Sequence, residues 1–242
     1  MTGLLSLDSS TETLAVALSY PGGRLLYEGA GGPMASERMV PEAMQLLARA
    51  GMNLNELDAV AFAAGPGAFT GLRTACAVAQ GLALGANKPV LALDSLMLVA
   101  EDAHQQALAT GVVLPTPLWV AVDARMNEIY AAAYERDEAG WRTLQAPALY
   151  SPAALQSHWQ PAAVAGNALP ALDELRAGLN SDVLVWPQSA SRALALAVLA
   201  EQAWAAGLQM DAALAAPVYV RNKVAQTTAE RMAERSAARA QP

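Results

Sequence analysis

The chain has 242 residues with a formal net charge of −7; hydrophobic residues make up 54% and charged residues 15%. That length suits two compact units, and so few charges argue against a disordered chain. The acidic balance argues against a protein that grips nucleic acid over a whole face, because phosphate binding needs clustered Lys and Arg.

The start, Met1 to Asp8, has no basic segment and does not read as a signal peptide. No apolar run is long enough for a membrane span, so no membrane partner is expected. The single cysteine, Cys76, excludes an internal disulfide and fits a reducing cytoplasm.

In chain order, residues 4–7 form a strand ending at Asp8, followed by the hydroxyl-rich turn Ser9-Ser10-Thr11. Leu14, Val16 and Leu18 alternate along a second strand, and Pro21-Gly22-Gly23 turns it onto a third over 24–28. Ser36 is expected to cap a helix running to Ala50, with Gly51 as its stop and a local kink at Pro41. Residues 58–64 read as a strand buried on both faces.

Gly65-Pro66-Gly67-Ala68-Phe69-Thr70-Gly71-Leu72-Arg73 then breaks that strand and opens a helix to about Ala86, with Thr70 expected as its cap. This helix is apolar all round and rich in Ala and Gly. One face should lie on the sheet and the other against a partner protein or a covering helix of the same chain. Arg73 sits at the unfavourable positive end of the helix dipole, which predicts a carboxylate partner either within the chain or across an interface. A strand at 90–93 follows, then a helix capped by Asp94 or Ser95.

Residues 111–117, with two prolines, read as a boundary, after which the pattern restarts. Trp119-Val120-Ala121-Val122-Asp123 mirrors Leu4-Leu5-Ser6-Leu7-Asp8. Strands at 129–135 and 141–145, a helix opened by Ser151-Pro152, a strand at 162–165, a helix over 168–178, a strand at 183–186 and a last long helix over 189–206 complete this half. Both halves read strand-strand-strand-helix-strand-helix-strand-helix. The expected division is residues 1–110 and 111–220, with 221–242 as a basic tail carrying Arg221, Lys223, Arg231, Arg235 and Arg239. The order is that of the α/β, two-lobed actin-like ATPase (ribonuclease H-like) fold. There the first hairpin of each half holds nucleotide phosphates and a metal, and ligands bind between the halves.

The chemistry of that fold is only partly present. Asp8, Ser10 and Thr11 are the candidate cofactor-binding residues: a carboxylate for hydrated magnesium beside hydroxyls and turn amides. The bland reading is a turn built from residues that bond their own backbone. The mirror turn, Asp123 to Glu128, has neither glycine nor hydroxyl, so a second phosphate clamp is not expected. Gly166-Asn167 occupies the place of an adenosine-binding turn but equally suits a plain strand-to-helix connection. The central glycine loop lacks the Gly-Lys-Ser/Thr ending of a P-loop. His104 and His158 are isolated, and no serine-hydrolase motif is present. An ATPase or small-molecule kinase using the Asp8 hairpin is the enzyme alternative.

Four stretches carry a resemblance: Leu7 to Glu12, Gly65 to Arg73, Val122 to Arg125 and Pro217 to Asn222. In them the chain resembles the TsaB (YeaZ) family of tRNA threonylcarbamoyladenosine biosynthesis proteins, within the Kae1/TsaD superfamily. The resemblance implies an accessory subunit with no catalytic residues and no metal site. Its implied partners are the paralogue TsaD, which transfers the threonylcarbamoyl group to tRNA adenosine, the P-loop ATPase TsaE, and a second copy of itself. It would meet tRNA only through the complex. No cofactor is implied for the chain alone, with ATP or ADP and Mg expected at the complex interface. The implied contact surface lies on the first half's helices, at Met39, Ala43, Thr70, Leu72, Arg73, Cys76, Ala79, Gln80 and Ala83. Relatives often carry a histidine before the helix near Ser36, but Met34-Ala35-Ser36 stands here instead.

Overall fold

The computed structural model describes residues 2–138 and 140–221; the basic tail lies outside the described residues apart from Arg221. Two five-stranded sheets carry the fold. The first comprises β1 (Leu4–Asp8), β2 (Thr13–Tyr20), β3 (Gly23–Ala30), β4 (Ala59–Gly65) and β5 (Val90–Asp94). Its order is β3-β2-β1-β4-β5, with β1 antiparallel to β2 and parallel to β4. The second comprises β6 (Leu118–Asp123), β7 (Ile129–Asp137), β8 (Gly140–Tyr150), β9 (Ala163–Ala165) and β10 (Leu184–Trp186). Its order, β10-β9-β6-β7-β8, repeats the first unit strand for strand. This duplicated α/β arrangement is the actin-like, ribonuclease H-like architecture read from the sequence.

The helices are α1 (Ala35–Ala50), α2 (Phe69–Ala86), α3 (Ser95–Ala109), α4 (Pro152–His158), α5 (Ala168–Ala171), α6 (Asp173–Ala177) and α7 (Arg192–Ala205). Strand parity sorts them onto the sheets. Leu5, Leu7, Val60 and Phe62 share a core with Met39, Ala43, Ala75, Ala79 and Ala83 of α1 and α2. The opposite face presents Leu4, Ala59, Ala61 and Ala63 to α7 residues Ala193, Leu196, Leu199 and Ala200. The alanines of β4 let α7 approach closely. The last long helix, expected to close the second half, therefore crosses back to the first sheet. Conversely Leu96, Ala100 and Ala103 of α3 pack on Leu118, Val120, Tyr130 and Ala132 of the second sheet. Helices α3 and α7 thus lie between the two sheets, and the chain does not share its helices out in sequence order.

Several local expectations change. The cap of α2 is Ala68 rather than Thr70, which lies inside the first turn with its carbonyl accepting from Thr74 Oγ1. Ser36 is inside α1, whose cap is Met34 behind a short 3₁₀ turn at Gly32–Met34. Gly51 does end α1 at a left-handed φ of 66°, and Pro41 is carried within the helix. Asp94 caps α3 through the Leu96 amide, at 2.8 Å. The helix expected over 168–178 is broken at Leu172, which is extended, into α5 and α6. No helix among the described residues is long and apolar enough to cross a membrane.

Candidate functional site

The four stretches singled out in the sequence converge on one cleft between the sheets. A cavity of about 300 Å³ is walled by Ser10-Thr11-Glu12, Pro66 to Phe69, Val122 to Arg125 and Val218 to Arg221. Leu72, Tyr130 and Asn167 complete the lining.

The first hairpin is packed against the central loop rather than left open. Ser10 O accepts from Ala68 N at 2.8 Å, and Ser9 Oγ donates to Gly71 O at 2.8 Å. A Cβ on Gly71 would stand 1.7 Å from Ser9 O, and one on Gly67 would stand 2.6 Å from Ser10 O. These glycines serve close backbone approach between loop and hairpin. The Ala68 amide, which a phosphate loop would direct at its ligand, is already used.

Asp8 does not face the cleft. With Leu4 and Ser6 it points to the α7 side of β1, and it is fully buried. Its Oδ1 accepts from Ser10 N at 2.7 Å, and its Oδ2 pairs with Arg192 Nε. Arg192 Nη2 also donates to Ser10 Oγ at 2.9 Å. Both carboxylate oxygens are therefore engaged by protein donors, and a guanidinium stands where a metal would need to approach. Thr11 Oγ1 accepts from Thr13 N at 3.1 Å, as a self-bonded turn does. The hairpin as folded does not fit hydrated magnesium, because the side-chain oxygens of Asp8, Ser10 and Thr11 are engaged within the chain.

The mirror turn is shaped differently. Arg125, Met126 and Asn127 all have positive φ, at 64°, 57° and 55°. Such backbone is costly for residues with a Cβ, by roughly 1–2 kcal/mol each, and persists only where neighbours impose it. Arg221 imposes it here, its Nη2 donating to Ala124 O at 3.0 Å and to Glu128 Oε2 at 2.5 Å. Asp123 Oδ1 accepts from Arg125 N at 2.8 Å, and Asn167 Oδ1 from Asp123 N at 3.0 Å. Gly166 belongs to the connection: a Cβ there would stand 2.4 Å from Ala121 O. Arg125 and Glu12 face each other across the cleft at 3.5 Å.

Residues 217–221 run along the cleft as a strap. Val218 N donates to Ala64 O at 2.7 Å, and the Tyr219 ring lies 5.1 Å from that of Phe69. Arg73 stacks over Phe69 at 3.9 Å and donates from Nε to the Tyr219 hydroxyl at 3.0 Å. Within the chain Arg73 meets two rings and a hydroxyl, with no carboxylate paired to it among the described residues, which leaves the carboxylate expected across an interface as the other reading.

The expected contact residues divide by burial. Met39, Ala43, Leu72, Cys76, Ala79 and Ala83 belong to the chain's own core and offer no surface. Gln80 is half-buried and donates to Ala212 O at 2.8 Å. Thr70 and Arg73 are exposed. The outward face of α2 instead shows Ala77, Gly81, Leu84 and Gly85, and Val40 and Pro41 of α1 are exposed as well. Burial also pushes the Cys76 thiol up, away from reactivity.

Residues 34–238 match the family model described as TsaD, tRNA N6-adenosine threonylcarbamoyltransferase. A protein of Escherichia coli (strain K12) named tRNA threonylcarbamoyladenosine biosynthesis protein TsaB is 33% identical over 230 residues, 92% of this chain and 96% of that one. The chain belongs to the TsaB (YeaZ) family, within the TsaD superfamily. The TsaB protein of Haemophilus influenzae (strain ATCC 51907 / DSM 11121 / KW20 / Rd) is 40% identical over 135 residues, a match spanning about half of each protein, 56% and 55%. Among solved structures, YeaZ from Pseudomonas aeruginosa superposes with a TM-score of 0.79 at 34% identity, covering 90% of this chain and 100% of that one. Another, described as an uncharacterized protein with similarity to peptidase YEAZ from Pseudomonas aeruginosa, gives 0.78 at 33% identity, covering 91% and 100%.

Arg192 and Glu128 were missed in the sequence reading, and Arg221 was read as part of a basic tail. Arg192 did leave a signal. It is the one cation of α7, in a first turn whose other side chains are apolar, which calls for a buried acid.

Proposed function

We propose that this chain is a cytoplasmic, non-catalytic accessory subunit of the machinery that makes tRNA threonylcarbamoyladenosine. In this reading it binds the TsaD paralogue, works with the ATPase TsaE, and forms a homodimer through overlapping surface on the first half. The observation that carries the reading is the state of Asp8. The carboxylate that should face a metal is instead spent on Arg192 and the Ser10 amide. The mirror turn, with bulky left-handed residues stapled by Arg221, adds to it.

The outward face of α1 and α2 suits the partner role, because Ala77, Gly81 and Gly85 keep the helix backbone accessible beside Leu84, which is 55% exposed. A metal-dependent peptidase reading, suggested by the description of one relative, lacks ligands: no group of three or more His, Cys, Asp or Glu among the described residues is placed to hold a metal.

The test is reconstitution with TsaD, TsaE, tRNA and threonylcarbamoyl-adenylate. Modified tRNA should form with the chain present and not when it is omitted, and the chain alone should neither modify tRNA nor turn over ATP. Calorimetric titration of the isolated chain with Mg-ATP should show no binding at millimolar nucleotide. One-to-one binding abolished by Asp8→Ala would overturn the non-catalytic reading in favour of an actin-fold ATPase or kinase.

A further inference from the structure

Helix α7 follows the second sheet in the chain, yet groups of the first half hold its N-terminus. Glu28 of β3 accepts from Ala193 N at 2.8 Å and from Ser191 Oγ at 3.0 Å. Asp102 of α3 accepts from Ala190 N at 2.9 Å and from Ser191 N at 2.8 Å. Arg192 then enters the interior between Asp8, Ser10 and Ser95, its side chain only 7% exposed. Every acceptor lies within residues 8–102, and every donor within 190–193.

We propose that this cluster is an internal latch, in which Arg192 takes the place of a bound cation at the β1–β2 hairpin and fixes the spacing of the two sheets without nucleotide or metal. Two physical points support it. A buried guanidinium and carboxylate cannot part without leaving two uncompensated charges, so displacement of α7 is strongly opposed. The carboxylates of Glu28 and Asp102 also meet the positive end of the α7 dipole, which resists a slide of the helix along the sheet. In nucleotide-cycling members of the fold the ligand lies between the halves and bridges them. Here the bridge is covalently part of the chain, so the surface shown to partners does not vary with nucleotide. The latch is independent of which complex the chain joins.

The test is pulsed electron paramagnetic resonance on the full chain. Spin labels go on cysteines introduced at the exposed positions Ala48 and Ala153, in a Cys76→Ala background. The parent should give one narrow distance distribution, identical with and without millimolar Mg-ATP. Arg192→Met should broaden or shift it. An Arg192→Met distribution matching the parent would overturn the latch, as would a parent distribution that moves with Mg-ATP. If Arg192→Met does not fold, the Asp8→Asn/Arg192→Met pair, which leaves no lone buried charge, and Glu28→Gln give the same reading. A broadened distribution in either supports the latch, and parent-like distributions in both overturn it.

Discussion

Replacing Gly71 by alanine isolates the contact on which the central loop depends. In a helix, Gly→Ala ordinarily stabilises by about 1 kcal/mol, since glycine loses more backbone freedom on folding. At Gly71 the new Cβ would stand 1.7 Å from the carbonyl oxygen of Ser9, and the obstacle is backbone rather than a side chain that can swing away. Forcing extra volume into such a contact costs about 1–3 kcal/mol or more. Parting the loop from the hairpin also strains the Ser9 Oγ to Gly71 O hydrogen bond, a further ~1 kcal/mol. The net is a loss of about 2 kcal/mol, and at about 2–4 °C per kcal/mol for a chain of this size the Tm should fall by roughly 4–8 °C. The same substitution at Gly81 or Gly85, on the same helix, meets nothing within 4 Å. Each of those should raise Tm by about 1–4 °C. Thermal melts of the three variants followed by circular dichroism decide the matter. A Gly71→Ala protein as stable as Gly81→Ala would refute the assignment of Gly71 to close packing.

Ala77→Arg, on the exposed face of α2, should leave stability within about 0.5 kcal/mol and abolish co-purification with TsaD. Ala79→Arg, two residues on and fully buried, should melt the monomer, and both are read by paired pull-down and thermal melt. Arg221→Ala removes charge-assisted hydrogen bonds worth about 1.5–3 kcal/mol from the left-handed turn, so hydrogen exchange at the Ala124 and Glu128 amides should accelerate while that of β4 stays unchanged. Two carboxylates should respond to pH in opposite senses. Burial pushes Asp94 up, against hydrogen bonds from Tyr134, Leu96 and Met97 that pull it down. The folded state then holds more protons than the unfolded one above about pH 4, so this group erodes stability as pH rises through that window. Burial pushes Glu201 up as well, but hydrogen bonds from Arg24 and Ser19 outweigh it, and its carboxyl lies below its ordinary value. Its contribution is present above the unfolded pKa and lost as pH falls through the folded one. Relative to the parent, Asp94→Asn should gain Tm towards neutral pH and Glu201→Gln should lose it, both differences shrinking towards acid.

Local sequence was enough for the strands, because β1, β4 and β6 are short apolar runs bounded by Asp, Gly and Pro, and a run of that kind has little alternative to a strand buried in a sheet. The duplication was legible for the same reason, since the apolar strand ending in aspartate recurs at Asp8 and Asp123. The convergence of the four stretches that carry the resemblance was legible only as co-membership in a family, as nothing local says that Arg221 reaches Glu128. The small residues of α2 were also ambiguous. Alanine and glycine permit close approach by any neighbour, so composition alone left open whether α1, β4 or another protein would cover each face.

What the sequence by itself determined is the strands and long helices, their order and the repeated unit, since these follow from periodicity and breakers acting over a few residues; the caps of α1 and α2 and the break at Leu172 were not among them. Only the tertiary structure decided that Asp8 is sequestered. That outcome depends on strand parity, which turns Leu4, Ser6 and Asp8 to one face. It depends equally on α7 returning across the molecule to bring Arg192 to that face. The partners lie 184 residues apart, and a charge pair at that separation leaves no periodic trace in the chain.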